Sequence, residues 1–138
     1  MKLKELNEQA CLDGLKQYTS SEYQLVWISG FWDAPMSGIL KAGEHLYCFE
    51  MFDESATWQK GGWYRRYAII ELTTAQLQKE LEVHRDFQRY VGTHWDVNPL
   101  EPPPPFIPNQ SKVFYDTHTE YLHSQPFEEN EVIGWFET

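Results

Sequence analysis

Residues 63–92 constrain the fold more tightly than any other stretch of the 138-residue chain. Trp63-Tyr-Arg-Arg-Tyr-Ala-Ile-Ile-Glu-Leu72 is rich in aromatic and β-branched residues. As a strand it sends Trp63, Tyr67 and Ile69 to one face and Tyr64, Ala68, Ile70 and Leu72 to the other. Both faces are apolar, so the strand belongs inside a layered sheet or in a strongly curled one. Thr73-Thr-Ala-Gln76 follows with the spacing of a capping box, in which Thr73 accepts from the Gln76 amide and Gln76 reaches back to the Thr73 amide. Leu77, Leu81, His84, Phe87 and Val91 then form one helical stripe, and Gly92 is placed to end the helix in a positive-φ conformation.

The rest of the chain reads around that unit. Leu3, Leu6 and Ala10 predict an N-terminal helix within residues 2–18, broken by Thr19-Ser-Ser-Glu22. Residues 23–31 read as a strand and residues 32–38 as a turn, where Pro35 fixes φ and Gly38 can supply an unusual backbone angle. Residues 39–42 and 45–52 form a hairpin about Gly43, and residues 53–62 a polar loop. Residues 99–108, Pro-Leu-Glu-Pro-Pro-Pro-Pro-Phe-Ile-Pro, form an internal polyproline II strap, because consecutive prolines hold φ near −65°. Short strands are expected at 112–116 and 131–136, within an acidic C-terminal segment over 109–138. The expected architecture is one α+β domain over residues 1–138. Its curled antiparallel sheet of four to six strands, barrel-like at the extreme, carries the 73–91 helix, with the N-terminal helix beside it.

Charge narrows the partners. The net charge is −10, and from Val91 onward eight carboxylates face a single Lys112. Nucleic acid and anionic membrane surfaces need clustered Lys and Arg, so neither is expected as a partner. Two cysteines, Cys11 and Cys48, are too few for a disulfide framework. The first residues lack an apolar leader core, and no apolar run reaches the ~18 residues of a membrane span, so a cytoplasmic setting is expected.

One local pattern has relatives. Trp32-Asp-x-Pro-x-Ser-Gly38, followed by the Gly-centred hairpin that ends in Tyr47-Cys-Phe49, resembles a pattern of small bacterial proteins to which no activity is attached. It spans about a fifth of the chain and implies a β-hairpin there.

Few residues are arranged for chemistry. His94, Asp96, His118 and His123 are metal-ligand types, but the last two, five apart, fall on opposite faces of a strand and ~140° apart around a helix. No metal site is expected. Without a phosphate-binding loop, dinucleotide-binding glycines or paired-cysteine zinc spacing, no cofactor is expected either. Cys48, between Tyr47 and Phe49, reads as a buried protonated thiol, and Ser37 lacks the frame of a hydrolase elbow. His84 breaks an apolar stripe, as a hydrogen-bonded core histidine or as a proton-handling group. Arg65 and Arg66 point to opposite faces of an apolar strand, so at least one must reach the sheet edge or a carboxylate such as Asp33, Glu50, Asp53 or Glu71. The sharper reading places one of them among Trp63, Tyr64 and Tyr67 in a ring-lined anion pocket. Trp32, Trp58 and Trp95 fall in loops, where exposed rings would anchor a partner.

Two functions follow as expectations. The first is a non-catalytic, acidic protein-binding module, such as an immunity-type inhibitor of a basic protein, with homo-oligomerisation open. The second is a small enzyme or small-molecule-binding domain with an aromatic pocket, an arginine anion contact at Arg65 or Arg66, and a proton handled by His84 or His94.

Overall fold

A computed structural model describes residues 1–9, 11–57 and 62–138, with backbone alone at 55–57, 62 and 63. In chain order the elements are α1 (Leu3–Gln9), β1 (Lys16–Gln17), β2 (Gln24–Phe31), β3 (Pro35–Ala42), β4 (His45–Thr57), β5 (Gly62–Ile70), α2 (Thr74–Tyr90), α3 (Ser111–Leu122) and β6 (Val132–Glu137). The strands make one sheet in the order β1-β6-β5-β4-β3-β2. The α+β class and the strand number agree with expectation, while β1 runs parallel to β6 and so makes the sheet mixed.

The sheet is curled but open. Tyr23, at the start of the β2 edge, brings its ring to 4.3 Å from that of Phe136 in β6, although three strands lie between β2 and β6. This curl encloses Leu40, Phe49, Tyr67, Ile69 and Phe136. β1 and β2 remain as the two edges of the ladder, so the barrel-like extreme is not reached. The opposite face carries Val26, Trp27, Ile39, Cys48, Ala68 and Ile70, covered by α1 through Leu3 and Leu6 and by α2 through Leu81. Two apolar layers therefore flank β5, as its doubly apolar sequence requires.

The capping box forms. Gln76 N–H donates to Thr73 Oγ1 at 3.1 Å, and Thr73 N–H donates to Gln76 Oε1 at 2.9 Å. Thr73→Ala leaves a helix-terminal donor without its side-chain partner, and it should lower stability by about 1 kcal/mol in urea denaturation while Thr73→Ser retains most of it. At the other end Gly92 has a φ of 148° and its N–H donates to Phe87 O at 2.9 Å.

Four local expectations are corrected, the first being the turn over residues 32–38, of which 35–38 belong to β3. The N-terminal helix is described over Leu3–Gln9 and does not reach Tyr18, since Lys16–Gln17 pair as a strand with Gly134 and Trp135. Residues 112–116 belong to α3, where Phe114 and His118, four apart, share the buried face. Residues 53–57 extend β4 in register with β5 rather than forming a loop.

The N-terminal residues depend on the C-terminal ones. Leu3 N–H donates to Asn130 O at 3.0 Å, Val132 N–H to Met1 O at 2.8 Å, and Tyr18 N–H to Trp135 O at 2.7 Å.

Candidate functional site

β2 places two successive side chains on the same side. A register shift between Leu25 and Trp27 leaves both Val26 and Trp27 in the layer beneath α2. The segment after Gly92 then docks along the outer edge of β2. Ile28 N–H donates to Trp95 O at 2.9 Å, Val97 and Asn98 N–H groups both donate to Val26 O, and Asn98 Nδ2 donates to Leu25 O at 2.8 Å. These bonds satisfy an exposed strand edge and carry Asp96 to the side of α2.

His84 and Gln88, one turn apart on α2, converge on Asp96. His84 Nε2 lies 2.6 Å from Asp96 Oδ1, and Gln88 Nε2 donates to Oδ2 at 2.9 Å. The His84 ring stacks on Trp27, with centroids 4.3 Å apart and planes 6° from parallel. Only 10% of each side chain of the His84–Asp96 pair is exposed. Burial lowers the His84 pKa from its ordinary 6.5, and the Asp96 carboxylate only partly offsets that. At neutral pH the imidazole is therefore uncharged. Because a carboxylate only accepts, the proton sits on Nε2 and donates to Asp96, which leaves Nδ1 with its lone pair. Among the described residues Nδ1 has no hydrogen-bond partner, and neither has the buried Trp27 Nε1–H.

The stacked pair divides an apolar groove. On one side a cavity of about 290 Å³ is walled by Val26, Leu46, Leu81, Leu100 and Pro102. On the other a cavity of about 300 Å³ is walled by Val83, Phe87, Trp95, Phe114 and Leu122. His84 and Trp27 line both.

Arg65 and Arg66 stand elsewhere. The Arg65 guanidinium donates to the carbonyls of Trp32 (2.6 Å), Ala34 (3.0 Å) and Pro35 (3.3 Å), and its Nε pairs with Glu54 at 2.6 Å. It holds the turn in which Asp33 adopts a φ of 61°. Arg66 pairs with Glu137 at 3.0 Å and lies over the rings of Tyr64 and Trp135. Tyr67 is buried, with its hydroxyl donating to Pro35 O at 2.6 Å. His84 is not among the groups these arginines contact. Trp58 lies outside the described residues, and for Trp63 only the backbone is described.

Trp32 is 72% exposed, whereas Trp95 packs against Phe31 and His94 and walls the second cavity. His118 is buried, 2.9 Å from Asp86 Oδ2, and His123 Nδ1 lies 2.7 Å from Thr119 O in its own helix. Burial pushes the Cys48 thiol well up. Among the described residues no group of three or more His, Cys, Asp or Glu is arranged to hold a metal ion, and no helix is long and apolar enough to cross a membrane.

No family model, curated protein or solved structure matches the chain. The site therefore rests on its own geometry. Sequence reasoning missed three of its members: Trp27, Gln88 and the pairing of Asp96 with His84. The available signal was His84 itself, since an imidazole within an apolar stripe requires a polar partner, and the first carboxylate after the Gly92 stop is Asp96.

Proposed function

We propose that the chain binds a small, largely apolar molecule carrying a hydrogen-bond donor in the groove between α2 and β2. The observation that carries this reading is His84: neutral, oriented by Asp96, stacked on Trp27, lining both cavities and retaining an unpartnered Nδ1. A pocket of this kind takes its affinity from apolar walls and its selectivity from a few fixed polar atoms. The acceptor is held before the ligand arrives, so a hydroxyl or N–H can be bound without reorganising the site.

Substituted phenols and their methyl ethers supply matched probes. A phenol that fits should raise the melting temperature of the wild type at millimolar concentration, and the corresponding ether should do so much less. His84→Phe preserves a ring over Trp27 but removes the acceptor, so it should bind phenol and ether equally. If neither series alters wild-type melting or the Trp fluorescence, the groove is a packing defect and the reading fails.

A second reading, an acidic protein-binding module, is supported by the 72% exposed Trp32 on a turn pinned by Arg65 and by the net charge of −10. It requires a partner with a basic surface, captured at low salt and released at high salt.

A further inference from the structure

The proline strap is tied down at both ends and bare in the middle. Asn98 N–H donates to Val26 O at its start, and Ile107 N–H donates to Arg89 O at 2.8 Å near its end. Between them Pro102-Pro-Pro-Pro105 enforces polyproline II, which has three residues per turn and therefore three edges. Pro104 alone of the four prolines is half-buried against the body, the Ile107 amide is bonded to α2, and Glu101 lies 3.6 Å from Arg85 at the surface. Leu100 and Pro102 wall the first cavity, whereas Pro103, Pro105, Phe106 and Pro108 face outward, Phe106 being 56% exposed.

We infer that this strap is a preformed docking ridge for a protein domain with a Trp- and Tyr-lined groove that reads polyproline II chains. A chain of this conformation makes no internal hydrogen bonds, so its carbonyls remain open to indole and phenol donors of the groove while proline rings pack on the aromatic faces. The ends are already fixed, so docking loses little chain entropy. A ridge rather than a groove excludes a small molecule as the occupant. Glu101 within the strap and the net charge of −10 select a groove with a basic rim. This inference goes beyond both readings given above, and the outward Pro103, Pro105 and Phe106 do not line the His84 groove.

The test uses the full chain and three purified readers of polyproline II, an SH3, a WW and an EVH1 domain, titrated by calorimetry. At least one should bind, should weaken as salt rises, and should be displaced by free decaproline. Phe106→Glu and the double variant Pro103→Ala/Pro105→Ala, both confirmed folded by circular dichroism, should each weaken that binding by at least about tenfold. His84→Phe should leave it unchanged. The inference is overturned if all three domains fail to bind at millimolar concentration, or if both strap variants bind as the wild type does. It is equally overturned if the variants act only by dissociating a homodimer seen by light scattering, which would make the occupant a second copy.

Discussion

Gly38→Ala should lose roughly 3 kcal/mol or more of unfolding free energy in urea, the largest effect expected of adding a single methyl group in this sheet. Gly38 is buried in β3, paired with Ile28 on one side and Phe49 on the other. A Cβ there would collide with the Trp27 carbonyl oxygen and approach the Phe49 ring to 2.7 Å. Neither neighbour can yield. The Trp27 oxygen is backbone, and Phe49 is fully buried against Tyr67 and Phe136. Gly30→Ala is the control, because its nearest contact at 2.7 Å is the hydroxyl of Ser37, the tip of a rotatable side chain. Similar urea midpoints for the two variants would mean that the close approach over Gly38 is absent. The role of Gly38 is thus to leave space, not to supply the unusual backbone angle expected from its place in the turn motif; its φ is not among the positive values.

Glu50→Gln should stabilise the protein by roughly 2–3 kcal/mol at pH 8 and by almost nothing at pH 4. Glu50 is half-buried in β4, and among the described residues no cation pairs with it. Burial, followed by the neighbouring carboxylates Glu128 and Glu80, pushes its pKa up to about 7 from the ordinary 4.5. Between those values the folded chain keeps a proton that the unfolded chain releases, so the Glu50 contribution to stability falls as pH rises through that window and is level above it. The amide has no such proton to lose. His84 acts in the opposite sense: its lowered pKa means that the unfolded chain takes up a proton that the folded one resists, so stability is lost as pH falls below about 6.5. Thermal melts of wild type and Glu50→Gln from pH 4 to 9 separate the two. Parallel curves at every pH would show that Glu50 is ionised without penalty.

The elements legible in the sequence are those defined by neighbours along the chain. The 73–91 helix shows its start through side-chain chemistry three residues apart and its end through Gly92, and both features form. α3 was illegible for the opposite reason. Its first residues, Lys112-Val-Phe-Tyr, favour a strand, and its N-terminus has no side-chain cap. It is helical because it packs on α2, with Phe114 against Phe87, His118 bonded to Asp86 and Tyr121 bonded to Glu80. β1, two exposed polar residues, has no local signature at all and exists only through its pairing with β6. The candidate site divides in the same way. His84 stood out as a break in an apolar stripe, but its partners Asp96 and Trp27 arrive through loop docking and a strand bulge, neither of which leaves a periodic mark.

The placement of β6 between β1 and β5 sets an order of assembly during synthesis. Met1 and Glu131, 130 residues apart, are in contact in the finished sheet. On the ribosome, α1 and β1 emerge long before the segment that holds them, while β2 to β5 can pair as a meander as they appear. The free side of β5, with Tyr67, Ala68, Ile69 and Ile70, stays open until residues 132–137 have been made. For that interval the nascent chain carries an uncovered apolar strand edge, its period of greatest exposure to pairing with other chains.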